Sequence, residues 1–305
     1  MGVLGFDTSN YTTSVAWFDG CSGTNCSKLL PVKQGELGLR QSDAVFAHIK
    51  GLPELSGRLF SNLEQLQITA VGVSTRPRAV EGSYMPCFMV GYSHAKMISD
   101  MFHIPLVEVS HQQGHIAACL WSAGRLDLMD TPHLAWHLSG GTTELLLVEP
   151  EGKNVRCTKI GGTTDISAGQ LIDRTGQLLG LSFPSGKHLD ALSQDAIGKE
   201  LFRVKCNGSE FSLSGVQNKV QQFYQQHNAT ETAAYALRCI CGAVMTASKN
   251  ALKEYPGLPV VFSGGVASNS MLRAYLESLS PIFAEPQYST DNAMGVAVLA
   301  HRLQE

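Results

Sequence analysis

The stretch VLGFDTSNYTTSVAWF, residues 3–18, reads as a strand, a short polar bend and a second strand. Apolar and β-favouring residues flank a bend made of small polar residues, which is the pattern of a β-hairpin. The same pattern returns in HLAWHLSGGTTELLLVE, residues 133–149. A third bend, in PVVFSGGVASNSMLRAYL at residues 259–276, joins a strand to a helix. Three such bends suggest a nucleotide held between two similar lobes.

The segments between these bends alternate between strand and helix patterns. This alternation predicts an α/β fold with mixed sheets. Strands are expected at residues 68–75 and 105–110, and helices at residues 88–102, 168–180 and 232–254.

The length and composition predict a globular protein of two lobes. A chain of 305 residues is long for one core, so we expect lobes at residues 1–130 and 131–305. The chain is 44% hydrophobic and 16% charged, and no apolar run is long enough to cross a bilayer. The first residues do not resemble a signal peptide.

The net charge and the cysteines bear on the partners and the cellular location of the protein. A net charge of −3 argues against a surface coated in basic residues, although it leaves room for a local basic path for RNA. None of the eight cysteines forms a C-x-x-C motif. Reduced thiols in a cytoplasmic protein are therefore expected.

The three polar bends are candidate anion sites, because backbone N–H groups in such bends point toward a phosphate and glycine lets it approach. The third bend also precedes a helix N-terminus, which favours negative charge. Any one bend alone is better explained as an ordinary turn, whereas three together favour a nucleotide. The first bend is Asp7-Thr8-Ser9, and the candidate residues of the three bends are Thr8, Ser9, Ser139, Gly140, Gly141, Gly264 and Gly265.

A histidine pair stands in VSHQQGHIAACL, residues 109–120. In a helix, His111 and His115 lie one turn apart on one face, where both can bind one metal ion. The metallopeptidase motif H-E-x-x-H has this spacing, but its glutamate is replaced here by Gln112, and an amide cannot act as a base. Cys119 is either a third ligand or a buried small residue.

A carboxylate near the end of the sequence is the candidate third metal ligand. Asp291, in YSTDNAMGVAVLAHRL at residues 288–303, precedes an apolar helix and is either its N-cap or a ligand. Two histidines and one carboxylate suit zinc or iron(II).

Two further aspartates occur in QLIDRTGQLLGLSFPSGKHLDAL, residues 170–192. Asp173 and Asp190 are either solvated helix charges or carboxylates that meet a ribose hydroxyl near the turn at Gly186.

Seven segments resemble those of the tRNA threonylcarbamoyladenosine synthase catalytic subunits, and they follow in order along nearly the whole chain. That family has the actin-like fold of sugar kinases and heat-shock ATPases. It was earlier classed as peptidase M22. The fold implied is two actin-like lobes with a nucleotide cleft between them. The segments are LGFDTSNYTTSVAW, VSHQQGHIAA, LSGGTTELLLV, LIDRTGQLLGLSFPSG, FSLSGVQNKV, VVFSGGVASNSMLR and STDNAMGVAVLA.

The resemblance implies a reaction, a metal and partners. A threonylcarbamoyl group passes from its adenylate to the exocyclic amine of a tRNA adenosine, and one divalent metal, iron or zinc, binds His111, His115 and Asp291. The metal then polarises the transferred group, so no neighbouring base is needed. The partners implied are tRNA, a smaller paralogous subunit and an ATPase. The contacts implied for ATP or the acyl-adenylate are Ser139, Gly140, Gly141, Asp173, Gly186, Asp190 and Asn269.

The sequence also departs from the family where acids are expected. Neutral residues stand at Tyr11, Thr12, Gln113 and Gln170, Thr142 replaces a histidine, and Arg76-Pro77-Arg78 replaces a G-P-G turn. Acyl transfer to tRNA is the leading hypothesis. The alternatives are a catalytically degenerate paralogue that binds nucleotide and metal as a scaffold, a carbamoyltransferase with another acceptor and, last, a metallopeptidase.

Overall fold

The structure, a computed structural model, describes residues 1–9, 11–31, 39–63 and 67–304. Asn10, in the first polar bend, lies outside the described residues. Contacts divide the chain into a first unit, Met1–Thr131 with Glu149–Cys157 and Asp291–Glu305, and a second unit, Pro132–Val148 with Thr158–Thr290. These units are discontinuous in sequence, whereas the predicted lobes are continuous, so the lobe boundary at residues 130 and 131 stays a prediction.

The secondary structure follows the predicted alternation of strands and helices. The strands are β1 (Gly2–Asp7), β2 (Thr12–Phe18), β3 (Gly23–Leu29), β4 (Ile68–Arg76), β5 (Leu106–Ser110), β6 (His133–Leu138), β7 (Thr143–Glu151), β8 (Asn154–Thr163), β9 (Cys206–Asn207), β10 (Glu210–Phe211), β11 (Val260–Ser263) and β12 (Ile282–Phe283). The helices are α1 (Gln41–Ser61), α2 (Phe88–Phe102), α3 (His111–Ser122), α4 (Ala168–Leu178), α5 (Gly186–Ser193), α6 (Ser214–Tyr224), α7 (Ala229–Glu254), α8 (Ser270–Leu276) and α9 (Met294–Arg302).

The sheet of the first unit has the strand order β3-β2-β1-β4-β5. The predicted hairpin of residues 3–18 forms its antiparallel part, while β1, β4 and β5 run parallel. Since carboxyl ends of parallel strands meet at one edge, Asp7 at the end of β1 and Ser110 at the end of β5 lie on the same edge of the sheet. The segment that follows β5 is α3, which carries the histidine pair.

Alternating residues of β1 meet helices on opposite faces of this sheet. Leu4 and Phe6 pack in a core with residues of α1 and α2. On the other face, Val3 packs with Ala300 of α9, and Gly5 lies so close to α9 that a Cβ there would collide with the carbonyl of Ala293. The last helix of the chain therefore belongs to the core of the first unit.

The sheet of the second unit has the order β12-β11-β6-β7-β8-β10-β9. The bend at residues 139–142 closes the β6–β7 hairpin, and the bend after β11 leads through a short 3₁₀ helix, Gly265–Ser268, into α8. Trp136 and Phe262 are fully buried, in a core shared with the long helix α7. Both polar bends thus lie at strand ends, as predicted. Among the described residues, no helix has the length and apolar content that crossing a membrane requires.

Candidate metal and nucleotide sites

The first turn of α3 is fixed by a reciprocal pair of hydrogen bonds. The Ser110 side chain accepts a hydrogen bond from the Gln113 backbone N–H at 3.2 Å, and the Gln113 side-chain oxygen accepts one from the Ser110 backbone N–H at 2.9 Å. This arrangement is a capping box. It starts the helix at His111, so that His115 follows one turn later on the same face.

Three candidate ligand atoms, one each from His111, His115 and Asp291, converge beside α3. The Nε2 atoms of His111 and His115 are 2.9 Å apart, and Oδ1 of Asp291 lies 3.5 Å from the first and 3.2 Å from the second. Ligands at about 2.1 Å from one metal are separated by about 3.0 Å in an octahedron and about 3.4 Å in a tetrahedron. The triangle of donor atoms therefore fits one divalent transition metal, either zinc or iron(II).

Asp291 is not a helix cap, so the alternative interpretation of this residue is wrong. Helix α9 begins at Met294, and Ala293 is the residue that flanks it. The Asn292 side chain accepts the Met294 N–H at 3.1 Å. Asp291 instead turns its carboxylate to the histidine pair, because both imidazoles offer it a favourable partner. Cys119 is fully buried and is not a member of this cluster.

A second carboxylate meets the opposite side of the His111 ring. Oδ2 of Asp7 lies 2.7 Å from Nδ1 of His111, and Phe88 packs edge-on against the same ring. In the sequence, Asp7 stands out only as part of a polar bend, and its contact with His111 is not predicted. The two residues are 104 positions apart, so no local spacing pattern reveals them as partners.

The charges of these groups favour a cation at the histidines. Burial opposes a charge on His111, but Asp7 and Asp291 together raise the pKa of His111 to about 10. Burial likewise opposes ionisation of Asp291, yet hydrogen bonds from His111 and His115 hold the pKa of Asp291 well below its usual range. The cluster thus stabilises positive charge at the ring nitrogens, carried by either a proton or a metal ion.

The amides that replace two family acids have structural roles. Gln113 completes the capping box of α3 and donates from Nε2 to the carbonyl of Val155 at 2.8 Å. Gln170 completes an equivalent capping box with Ser167 at the start of α4. Glutamine and glutamate both serve at this position of a capping box. These two exchanges therefore do not remove an acid from among the candidate metal ligands.

In the first polar bend, Thr8 and Ser9 have different environments. The Thr8 hydroxyl is fully buried, donates to the Cys87 carbonyl at 2.9 Å and accepts from the Gly91 N–H at 3.0 Å. The Ser9 N–H donates to Oδ1 of Asp7 at 2.8 Å. The buried Ser9 hydroxyl has no hydrogen-bond partner among the described residues. Ser9 thus retains a polar group for a ligand, while the Thr8 hydroxyl is already engaged.

The bend of the β6–β7 hairpin is held by Ser139 and by α4. Ser139 donates its N–H to the Thr142 carbonyl at 2.8 Å, and its side chain accepts the Thr142 N–H at 3.1 Å. The Ser167 hydroxyl donates to the Gly140 carbonyl at 2.6 Å. A Cβ added at Gly140 or Gly141 would meet no atom within 4 Å. The space that a Cβ would take is therefore unobstructed at both glycines.

The remaining nucleotide candidates form two contacts within the second unit. Oδ1 of Asp173 accepts the Ser185 N–H at 2.8 Å, beside Gly186, and burial raises the pKa of Asp173. Asp190 accepts hydrogen bonds from the backbone and hydroxyl of Ser270 at 2.9 and 2.8 Å, beside Asn269. The structure thus pairs Asp173 with Ser185, the residue before Gly186, and Asp190 with Ser270, the residue after Asn269.

Asn269 and the glycines of the third bend also have structural roles. The side-chain oxygen of Asn269 accepts the Leu272 N–H at 2.9 Å as the N-cap of α8. Gly264 has a φ of +91°, and a Cβ there would collide with the Leu138 carbonyl. This backbone requires glycine with or without a ligand. Gly265 begins the 3₁₀ helix and has free space around it apart from Thr290.

The two mixed sheets belong to a known fold class. Full-length HypF, solved in a phosphate- and nucleotide-bound form, matches with a TM-score of 0.64 at 15% identity, covering 100% of this chain and 46% of HypF. This chain therefore has the actin-like ATPase fold, and that likeness concerns the fold alone.

Sequence comparison identifies the family. Residues 38–298 match the model of the tRNA N6-adenosine threonylcarbamoyltransferase family. The enzyme of that name from Carboxydothermus hydrogenoformans is 30% identical over 318 residues, covering 98% of this chain and 91% of that protein. The one from Lactococcus lactis subsp. cremoris is 32% identical over 225 residues, covering 70% of this chain but only 62% of that protein. The chain belongs to this family.

Proposed function

We propose that this chain transfers a threonylcarbamoyl group from threonylcarbamoyl-adenylate to the exocyclic amine of an adenosine in tRNA, with one divalent metal, iron or zinc, held by His111, His115 and Asp291. The convergence of these three donor atoms, in a chain of this family, carries the proposal.

In the proposed reaction, the adenosine amine attacks the carbamoyl carbonyl carbon. A new N–C bond forms, the bond from that carbon to the phosphate oxygen breaks, AMP leaves, and the amine nitrogen loses a proton. The metal, when bound, supplies Lewis-acid polarisation of the carbonyl. The residues of the chain hold the metal and position the adenylate.

The polar bends of the second unit would hold the adenylate. The open backbone at Gly140 and Gly141 suits a phosphate, since N–H groups and the space left by glycine accommodate an anion. Asp190 and Asp173 are the carboxylates proposed to meet ribose hydroxyls, beside Asn269 and Gly186 respectively. ATP would occupy the same residues.

Partners and location complete the proposal. A tRNA acceptor follows from the name of the family, while a smaller paralogous subunit and an ATPase subunit rest on the sequence resemblance alone. A cytoplasmic location is supported by the eight cysteines, because no two of them are joined in a disulfide among the described residues.

A catalytically degenerate paralogue, which binds metal and nucleotide as a scaffold, is the second candidate. Neutral Tyr11, Thr12 and Thr142 favour it. Gln113 does not, because its side chain is engaged in a capping box and with Val155. A carbamoyltransferase with another acceptor would use the same metal ligands. A metallopeptidase ranks last, because Gln112 and Gln113 cannot take a proton from water.

The test is transfer from preformed threonylcarbamoyl-adenylate to tRNA, with the partner subunits added, by wild type, His115→Ala and the control His94→Ala on α2. We expect wild type and the control to transfer, and His115→Ala to lose at least about 100-fold, since metal polarisation contributes several kcal/mol. Equal transfer by His115→Ala would reject the metal-dependent mechanism. Normal metal and nucleotide binding by a wild type that transfers nothing would support the scaffold instead.

A further inference from the structure

We infer that Asp7 is a positioning residue of the metal centre, which holds the proton of His111 on Nδ1 so that the lone pair of Nε2 faces the metal. This inference rests on the metal centre of the proposed function. No spacing motif points to Asp7, and its role follows from its two oxygens, which have different partners.

One oxygen of Asp7 fixes the carboxylate and the other orients the imidazole. Oδ1 accepts the Ser9 N–H at 2.8 Å, which sets the side chain relative to the end of β1. Oδ2 then lies 2.7 Å from Nδ1 of His111, a distance typical of a charge-assisted hydrogen bond. Asp7 is only 1% exposed, so solvent does not compete for this contact.

The geometry separates the role of Asp7 from that of a ligand. Nδ1 of His111 meets Asp7, whereas Nε2 lies 2.9 Å from His115 and 3.5 Å from Asp291. The two nitrogens of an imidazole point in different directions, so Asp7 lies behind the ring and not among the donor atoms. Carboxylates placed behind metal-bound histidines fix the tautomer and raise the basicity of the ligand nitrogen.

The matched control for Asp7 is Asp19. Oδ1 of Asp19 accepts the N–H of Cys21, two residues on, at 2.9 Å, as Oδ1 of Asp7 accepts the N–H of Ser9. Asn at either position keeps an oxygen for this turn. Only at position 7 does the amide present an N–H group to a histidine, which favours the tautomer with the proton on Nε2.

The experiment measures zinc affinity by chelator competition for wild type, Asp7→Asn, Asp7→Ala and Asp19→Asn. With affinities corrected for the proton that zinc displaces from His111, we expect the Asp7 variants to bind zinc about 10–100-fold more weakly and Asp19→Asn to bind it as wild type does. Wild-type affinity in folded Asp7→Asn would overturn the role of Asp7 and leave the metal centre intact. Failure of wild type to bind zinc or iron(II) would instead reject the metal centre itself.

A measurement on wild type keeps the inference testable if the variants do not fold. Long-range ¹H–¹⁵N correlation spectra of the zinc-loaded protein report which ring nitrogen of each histidine carries the proton. We expect that proton on Nδ1 of His111. A proton on Nε2 of His111 would overturn the inference.

Discussion

Gly295 in α9 lies directly against the main-chain carbonyl of Gly114 in α3, and a Cβ at residue 295 would overlap that oxygen. Gly114 stands between His111 and His115, and Gly295 follows four residues after Asp291. The closeness of these two glycines therefore sets the separation between the histidine pair and the carboxylate that completes the cluster.

Replacing Gly295 with alanine should force α9 away from α3. We expect a loss of about 1–3 kcal/mol in the free energy of unfolding, as for other overpacked cores, together with weaker metal binding. Gly57→Ala in α1 is the control, because a Cβ there meets no atom within 4 Å. This substitution should raise the free energy of unfolding by up to about 1 kcal/mol. Urea unfolding and zinc titration check both effects, and a Gly295→Ala protein as stable as wild type would contradict the contact.

Glutamate at position 113 should destabilise the protein without raising its activity. The capping box would survive, but the donor to the Val155 carbonyl would be lost and a carboxylate would face that oxygen, at a cost of about 1–3 kcal/mol. Gln170→Glu is the matched variant, because Gln170 is exposed and its side chain bonds within a capping box, so the stability of this variant should barely differ from that of wild type. Faster transfer by Gln113→Glu at unchanged stability would show that the acid itself matters.

Metal binding should release a proton from His111. The pKa of this residue is raised from 6.5 to about 10, so its imidazole is charged at neutral pH and a metal must displace that proton. The apparent affinity should therefore rise with pH up to about 10, by at most tenfold per pH unit. Calorimetry in buffers of different ionisation enthalpy should detect about one proton released per metal bound at pH 7. Metal binding without proton release would contradict this prediction.

The same raised pKa has a consequence for the stability of the metal-free protein. Because the folded state binds this proton more tightly, the contribution of His111 is complete below its usual pKa of 6.5 and is lost as the pH rises through about 10. Urea unfolding of chelator-treated protein should therefore show that His111→Gln is less stable than wild type at pH 6.5 and below. This difference in stability should disappear as the pH rises to about 10.

Asp165 should stabilise the second unit in a pH-dependent way. Burial opposes its ionisation, but hydrogen bonds from the Ser212 and Ser214 hydroxyls and the Leu213 N–H hold the pKa of Asp165 well below 3.8. A lowered pKa gives stability that is present above the usual value and is lost as the pH falls below it. Asp165→Asn should cost about 1–2 kcal/mol at pH 7 after allowance for solvent screening, and the deficit should shrink below about pH 4.

The control for Asp165 is Asp127→Asn, since Asp127 is an exposed aspartate paired with Arg125. Its removal should change little at any pH, because solvent screens exposed ion pairs and they contribute little to stability. An Asp165→Asn deficit that stays constant down to pH 3 would show that the charge of the carboxylate is not the cause.

A side chain at Gly140 should block the nucleotide and spare the fold. A Cβ there meets no atom within 4 Å, so Gly140→Val has room for its side chain, but that side chain would fill the space proposed for a phosphate. We expect an unfolding midpoint near that of wild type and a loss of ATP binding by calorimetry. Gly57→Ala is again the control, and equal ATP affinity in Gly140→Val would place the phosphate elsewhere.

The features that can be predicted from the sequence are those that neighbouring residues determine. The hairpin of residues 3–18 and the shared face of His111 and His115 follow from local periodicity. The capping box of Ser110 and Gln113 is also local, and its S-x-x-Q signature was available in the sequence although the departure at Gln113 was interpreted as a lost acid.

Other features depend on how distant segments pack. The sequence does not decide between a cap and a ligand at Asp291, because spacing along the chain does not fix a distance between segments so far apart. The partner of Asp7 was missed for the same reason. The left-handed backbone of Gly264 against Leu138 likewise arises only once β11 and β6 are paired.

Because α9 packs on the sheet of the first unit, that unit can be completed only late in synthesis. The strands of that sheet and the histidines of α3 leave the ribosome early, but Asp291 and the helix that covers Gly5 and Gly72 emerge only after the whole second unit. At about 5–20 residues per second, the sheet must wait roughly 10–30 s for this helix with one face uncovered. The three candidate metal ligands can therefore meet only after the second unit has been synthesised, and a chaperone that shields the uncovered face until then is the expected consequence for the cell.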